Sequence, residues 1–129
     1  MTRAAAIARG VMVAGFAWGT LTHAADWWRF GWWPYRFGPP LPNAFWNALV
    51  LLDAVTLALL LRRDPRGGVA MAAAVMIADV AANSYAWQVL GLDRVAPAVA
   101  MQAAFLGFVL GAAPLLWVNV SKARRPPID

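Results

Sequence analysis

The central hairpin of the sequence decides the fold. Residues 48–80 read ALVLLDAVTLALLLRRDPRGGVAMAAAVMIADV, in which two apolar runs flank the polar break RRDPR at residues 62–66. Together with the segments on either side of this hairpin, the sequence contains four apolar runs, at about residues 6–25, 43–61, 68–90 and 96–120. Each is close to the ~20 residues that a helix needs to cross ~30 Å of hydrocarbon. Because lipid offers no partner to backbone polar groups, we predict an all-α integral membrane four-helix bundle, a single domain over residues 1–129.

The composition supports a chain whose surroundings are mostly lipid. Apolar residues make up 62% of the 129 residues and charged residues 13%, with a mean hydropathy of +0.58. A soluble domain carries about 25% charged residues. There is no cysteine, which excludes a disulfide scaffold and a metal site built on thiolates. The net charge is +5, but the basic residues lie at the ends of the apolar runs, so no nucleic-acid partner is predicted.

The basic residues are divided unevenly between the two sides of such a bundle. Eight fall on the side of the termini: Arg3, Arg9, Arg62, Arg63, Arg66, Lys122, Arg124 and Arg125. Three fall on the other side: Arg29, Arg36 and Arg94. Since Lys and Arg concentrate in cytoplasmic segments, both termini are predicted to be cytoplasmic, and we expect the bacterial inner membrane. The run 6–25 also fits a signal peptide, with arginines near its start and small residues at Ala24 and Ala25.

The link between the first two helices is rich in aromatic residues. Residues 26–42 read DWWRFGWWPYRFGPPLP, with four Trp, one Tyr and two Phe on the predicted outer side. One interpretation is an aromatic belt at the level of the lipid headgroups. The other is a lid of indoles folded back over the mouth of the bundle. The two are compatible, and membrane lipids are partners in either case.

Several polar residues lie within or beside the predicted spans. Asp53 and Asp79 are near the midplane, and the others lie in the outer half: His23, Asp26, Trp46, Asn47, Asn83, Gln88 and Gln102. Intramembrane acids are costly and need a reason. The asymmetry predicts a polar cavity that opens outward, ends at the two deep aspartates and has Trp46 at its mouth. The predicted binding residues are therefore Asp53, Asp79, Asn83, Trp46, His23, Asp26 and Gln102.

No basic residue lies at the depth of Asp53 and Asp79, which leaves three states open for the two carboxyl groups. Both are protonated, or they share one proton, or they bind a cation from outside such as an amine, a metal ion or a proton in transit. An alternative without a binding function is that they hydrogen-bond across helices and fix the helix register.

Small residues predict where helices approach closely. Gly15 and Gly19 form one small-xxx-small pair, and Gly107 and Gly111 form a second. We expect both pairs to serve packing within the bundle, while an exposed pair would favour a homodimer.

The sequence contains no recognisable catalytic or cofactor-binding motif. Catalytic chemistry, if present, would have to use Asp53, Asp79 and His23. A single histidine is weak evidence for a metal site, so neither a metal nor a cofactor is predicted.

Three local stretches carry a family resemblance. They are Asp26 followed by the aromatic link, the segment PNAFWNALVLLD at residues 42–53, and Pro114 in the last helix. In these the chain resembles the EXPERA group, which includes the emopamil-binding sterol isomerases and the sigma-2 receptor. The resemblance covers about a third of the chain, and the linking loop and Asp79 depart from it. It implies a lipophilic pocket in which Asp26 and Asp53 match the group's acidic residues.

Three functions follow as hypotheses. The first is a membrane protein that binds a small lipophilic ligand, including a cationic or a sterol- or isoprenoid-like one. The second is an EXPERA-like isomerase that uses paired carboxyl groups. Only the resemblance favours this enzyme over a protein that simply binds its ligand. The third is an accessory subunit of a larger membrane complex, with Gly107, Gly111 and the aromatic link as contact surfaces.

Overall fold

The computed structural model describes the backbone of residues 1–123 and the side chains of residues 1–118. These residues form four long helices, α1 (Arg3–Phe30), α2 (Pro40–Leu60), α3 (Arg66–Gln88) and α4 (Ala96–Ala123), with a 3₁₀ turn at Asp93–Val95. Each is long and apolar enough to cross a membrane. The all-helical architecture with four candidate spans is thus confirmed, and it marks the chain as an integral membrane protein. Arg124 and Arg125, two of the eight residues in the charge count, lie outside the described residues.

The bundle has two ends, the loop end and the terminal end. The loop end holds the connector 31–39 and the turn 89–95. The terminal end holds the start of α1 and the connector 61–65.

Helix α1 is longer than the apolar run predicts. The run ends near residue 25, but nothing in residues 26–30 breaks a helix, and α1 ends only at Gly31, whose φ is 78°. Helix α2 starts at Pro40, as proline is well accepted in the first turn. The connector is therefore nine residues, 31–39, and Asp26 belongs to α1.

The helices pack in chain order around the bundle. Gly68 sets the close approach of α3 to α2, since a Cβ there would lie 2.5 Å from the backbone N of Leu60. Arg9 joins α1 to the end of α2, because its Nε donates to the carbonyl of Leu60 at 2.7 Å and its Nη2 to that of Arg62 at 2.8 Å. The seam between α1 and α4 is the loosest of the four.

Apolar and polar side chains occupy different halves of the interior. Met12, Leu60, Val69 and Leu116 are fully buried toward the terminal end. Among the described residues, three of the four buried polar ones, Asn47, Asp53 and Asp79, lie from the middle of the bundle toward the loop end. The fourth, Thr56, lies nearer the terminal end and donates its hydroxyl to the carbonyl of Leu52 in its own helix. The apolar half supplies the packing energy, so the polar half is free to carry a site.

The two glycine pairs behave differently. A Cβ on Gly107 or Gly111 would meet nothing within 4 Å among the described residues, so the expected internal packing of this pair is wrong. Gly15 and Gly19 do face other helices: a Cβ on Gly15 would overlap the ring of Phe105, and one on Gly19 would overlap the carboxyl group of Asp53.

Candidate intramembrane binding site

A cavity of ≈ 360 Å³ lies between α1, α3 and α4, and α2 contributes Asp53 to its wall. Its volume falls in the range of small-molecule sites, about 300–1,000 Å³. The polar lining consists of Thr22, His23, Asp53, Asp79 and Gln102. The apolar lining is made mainly by Phe16, Trp18, Met76, Met101 and Phe105. The wall is therefore amphiphilic, with acids among its polar groups and three aromatic rings among its apolar ones.

The cavity lies well away from the loop end, along helices that are long and apolar enough to cross a membrane. Asp53 is about 20 Å along α2 from Pro40, and Asp79 is about 14 Å along α3 from Gln88, at 1.5 Å per residue. Among the described residues, the lining contains no lysine or arginine. A cationic group entering the cavity would consequently meet two carboxyl groups and no fixed positive charge.

Four of the seven predicted binding residues reach the cavity, and three do not. Asp53, Asp79, His23 and Gln102 line it. Trp46, Asn83 and Asp26 are connected to it only through other side chains. Trp46 in particular is 3% exposed and lies inside the bundle instead of at a mouth.

Asn83 connects three helices behind the cavity wall. Its Oδ1 accepts from the indole Nε1 of Trp46 at 3.0 Å. Its Nδ2 donates to Asp79 Oδ1 at 2.9 Å and to Gln102 Oε1 at 2.9 Å. Because each of its two polar atoms has a partner, Asn83 holds Asp79 and Gln102 in fixed positions on the wall.

A second group of hydrogen bonds runs from His23 toward the loop end. The Nδ1 of His23 lies 2.8 Å from the hydroxyl of Tyr35, and that hydroxyl donates to Asp26 Oδ2 at 2.5 Å. On the other side of the ring, His23 Nε2 lies 3.9 Å from Asp53 Oδ2. Burial, together with the hydrogen bond to Asp26, raises the pKa of Tyr35 well above its ordinary value.

These donors and acceptors define the tautomer of His23. The single proton of the Tyr35 hydroxyl is donated to Asp26, so the hydroxyl oxygen must accept from His23. The neutral imidazole therefore carries its proton on Nδ1, and the lone pair of Nε2 faces Asp53.

The entrance of the cavity differs from the outward-facing mouth that the sequence predicts. The two most exposed lining residues are Trp18 of α1 and Met101 of α4, each 68% exposed. They lie on the two helices that form the loosest seam, and no residue of the connector 31–39 lines the cavity. The opening is therefore lateral, between α1 and α4, because Tyr35 and its partners occupy the loop end above His23.

The connector is fixed to α2 by two amide side chains. Asn47 exchanges hydrogen bonds with the backbone of Tyr35, donating to its carbonyl at 2.7 Å and accepting from its N–H at 3.2 Å. Asn43 pairs in the same way with Gly38, at 2.6 and 2.9 Å. Each amide pairs with both the N–H and the carbonyl of one connector residue, as a neighbouring β-strand would. These hydrogen bonds place Tyr35 against His23.

Different aromatic residues of this region fit the two interpretations of the link. Trp28, Phe30 and Trp32 are exposed, as a belt at the headgroups requires. Phe37 instead packs on Trp46 with ring centroids 4.8 Å apart, and Tyr35 reaches inward, as a lid requires.

Tyr35 is the residue of the candidate site that the sequence does not reveal. Its partners lie 9 and 12 positions away along the chain, and no periodicity links them. The sequence does indicate the part of the cavity wall that α1 forms, since Gly15, Gly19 and His23 are spaced four apart and so share one face of the helix. Within residues 1–123, no group of three or more histidines and acids is arranged to hold a metal ion.

Comparison of the chain with protein-family models, curated proteins and solved structures finds no match.

Proposed function

We propose that the protein binds a small lipophilic molecule with a cationic amine group in the cavity between α1, α3 and α4. The observation that carries this proposal is an amphiphilic cavity of ≈ 360 Å³ with two carboxyl groups and no basic residue in its described lining. The amine would lie at Asp53 and Asp79, and the apolar part along Phe16, Phe105 and Met101. The lateral opening suits a ligand that reaches the site from the hydrocarbon.

Ammonium binding explains why two acids lie at this depth. A buried carboxylate is expensive unless it is paired, and the described wall provides no partner cation. A ligand ammonium ion supplies the missing charge, and charge-assisted hydrogen bonds in a water-poor cavity are stronger than neutral ones. The same cavity would hold a neutral sterol- or isoprenoid-like lipid less tightly.

The proposal is tested with two probes of one shape and different charge. 4-Phenylbutylamine is cationic at neutral pH, and 4-phenylbutanol is its uncharged counterpart. Titration calorimetry on the protein in lipid nanodiscs should show the amine binding about tenfold or more tighter than the alcohol, as one charge-assisted interaction provides.

Matched acid-to-amide variants locate the binding. Asp53→Asn and Asp79→Asn should each weaken amine binding about tenfold or more and leave the alcohol nearly unaffected. Asp93→Asn removes the same charge at an exposed position near the loop end and should change neither. Equal binding of amine and alcohol, or unchanged amine binding in both cavity variants, would remove the site. Such tolerance would favour the accessory-subunit hypothesis.

Isomerisation of a double bond is the second candidate. It is favoured by the lone pair of His23 Nε2 and the acids Asp53 and Asp79 on one wall, since this reaction adds one proton and removes another. The resemblance to the EXPERA group points the same way. Incubation with sterol and isoprenoid lipids in D₂O should then give an isomer carrying deuterium at carbon, and His23→Gln should abolish it.

A further inference from the structure

A continuous series of polar groups connects the cavity with the loop end. It runs from Asp53 to His23 at 3.9 Å, from His23 to Tyr35 at 2.8 Å, and from Tyr35 to Asp26 at 2.5 Å. Asp53 is buried, whereas Asp26 is half-buried near the loop end of α1. Binding a ligand at Asp53 does not require Tyr35 or Asp26, so the proposed binding site leaves this arrangement unexplained.

We propose that His23, Tyr35 and Asp26 form a proton path between Asp53 and the water at the loop end, by which a proton leaves the cavity when an ammonium ion binds. The inference rests on the proposed function for its ligand. The path itself is a property of the unliganded protein.

The donors and acceptors allow the proton to move in one direction through three transfers. The O–H bond of protonated Asp53 breaks as a proton binds to Nε2 of His23. The Nδ1–H proton of His23 passes to the oxygen of Tyr35, and the original proton of that hydroxyl passes to the carboxylate of Asp26. Asp53 has then become a carboxylate and Asp26 a neutral acid, while His23 and Tyr35 stay neutral, so the total charge is unchanged until Asp26 releases its proton to water.

The one long step is the first. At 3.9 Å, Asp53 Oδ2 and His23 Nε2 are too far apart for a direct hydrogen bond. Both atoms belong to residues that line the cavity, so rotation of the Asp53 side chain or one water molecule can bridge them.

The charged groups around the path are few. From α1 the facing group is Asp26, from α2 Asp53 and from α3 Asp79, while α4 contributes the uncharged Gln102. The arginines of the loop end are engaged elsewhere. Arg29 lies over the ring of Phe30. Arg36 donates to the carbonyls of Trp32 and Trp33, and Arg94 lies over the ring of Phe37. With no cation on it, the path can carry a proton without competition from a fixed charge among the described groups.

Two tyrosines provide the variant and its control. Tyr35→Phe removes the hydroxyl from the path while the ring can keep its packing against His23 and Phe37. Tyr85→Phe removes the same group from α3, outside the path.

The readout is the rate at which Asp53 is deprotonated after an upward pH jump, followed by time-resolved infrared spectroscopy of the unliganded protein in lipid nanodiscs. The Asp53 carboxylic acid band is identified as the one that Asp53→Asn removes. In Tyr35→Phe this band should disappear about tenfold or more slowly than in the wild type and in Tyr85→Phe. Asp26→Asn, a second variant that retains an acceptor oxygen but no basic carboxylate, should slow the deprotonation as well.

Three results would overturn the path. They are equal deprotonation rates of Asp53 in Tyr35→Phe, Asp26→Asn and the wild type, the same slowing in Tyr85→Phe, and no acid band that depends on Asp53. The first would show that water reaches Asp53 through the cavity itself.

The linkage to the ligand is measured separately. Calorimetry with 4-phenylbutylamine in two buffers of different ionisation enthalpy should give release of up to one proton per amine bound, about the maximum for a pair that shares one proton. No proton release would contradict the linkage. Absence of amine binding together with Tyr35-dependent deprotonation of Asp53 would remove the proposed function and leave the path intact.

Discussion

At the level of single residues, Tyr35 gives a pH dependence that can be tested. Its hydroxyl is partly buried and donates to Asp26, so the pKa of Tyr35 lies well above the ordinary value of 10.0. In the unfolded chain the phenol ionises near pH 10. The folded protein keeps its proton, so its contribution to stability is complete below pH 10 and is lost as the pH rises toward the higher, folded pKa.

We therefore expect the wild type to lose thermal stability from about pH 10 upward more steeply than Tyr35→Phe. Phenolate absorbance in the Tyr85→Phe background should show Tyr35 still protonated when the pH passes 10. Ionisation of Tyr35 near pH 10 in the folded protein would mean that its hydroxyl is neither buried nor hydrogen-bonded to Asp26 as described.

The sequence identified the two deep acids and Asn83, which donates to Asp79, but it did not identify Tyr35. An aspartate within an apolar run is conspicuous because lipid gives it no other means of solvation. The sequence does not indicate Tyr35, because the position of this side chain depends on the backbone path of the connector. That path includes Trp33, with a φ of 64°, and the hydrogen bond from Asn47 to the carbonyl of Tyr35. Neither the amino-acid composition nor the hydrophobic periodicity of the sequence indicates such a backbone path.

At the level of elements, the α2–α3 hairpin depends on Gly68. A Cβ there would meet backbone atoms, the N of Leu60 at 2.5 Å and the C of Leu59 at 2.7 Å, which cannot rotate away. Gly68→Ala must push α3 from α2 and should destabilise the protein by about 1–3 kcal/mol or more.

The neighbouring glycine is the control. A Cβ on Gly67 meets nothing within 4 Å, so Gly67→Ala should be neutral or slightly stabilising through helix propensity. Thermal unfolding in detergent followed by circular dichroism would separate the two. A Gly68→Ala variant as stable as Gly67→Ala would show that the hairpin is not packed as closely as described.

Hydropathy predicted the existence of the helices and missed their ends. The α1 helix continues through polar and aromatic residues to Phe30, because leaving the hydrocarbon does not itself end a helix. The glycine pairs show a similar limit. Gly15 and Gly107 have the same local spacing, yet only Gly15 faces a neighbouring side chain, Phe105. Which face of a helix is packed depends on the partner helix and not on the pair itself.

At the level of the whole molecule, the site follows from an uneven interior. The apolar half toward the terminal end closes the bundle, while the loosest seam, between α1 and α4, leaves the cavity open to the side. A ligand in the hydrocarbon would then reach Asp53 from the side, and the proposed proton path would lead away from Asp53 toward the loop end. The two routes are separate, so a lipid-side ligand and a water-side proton need not cross.

Because the two proposed routes are separate, the orientation of the bundle determines on which side of the membrane the proton would be released. The basic residues predict that the terminal end is cytoplasmic, so the loop end, with Asp26 and Tyr35, should face the outer water. Because the chain has no cysteine, single cysteines at Asp93 and Arg63 can report the two ends. In intact bacterial cells, a membrane-impermeant maleimide should label Asp93→Cys but label Arg63→Cys only after lysis. Labelling of Arg63→Cys alone in intact cells would reverse the orientation, and the proposed path would then release its proton into the cytoplasm.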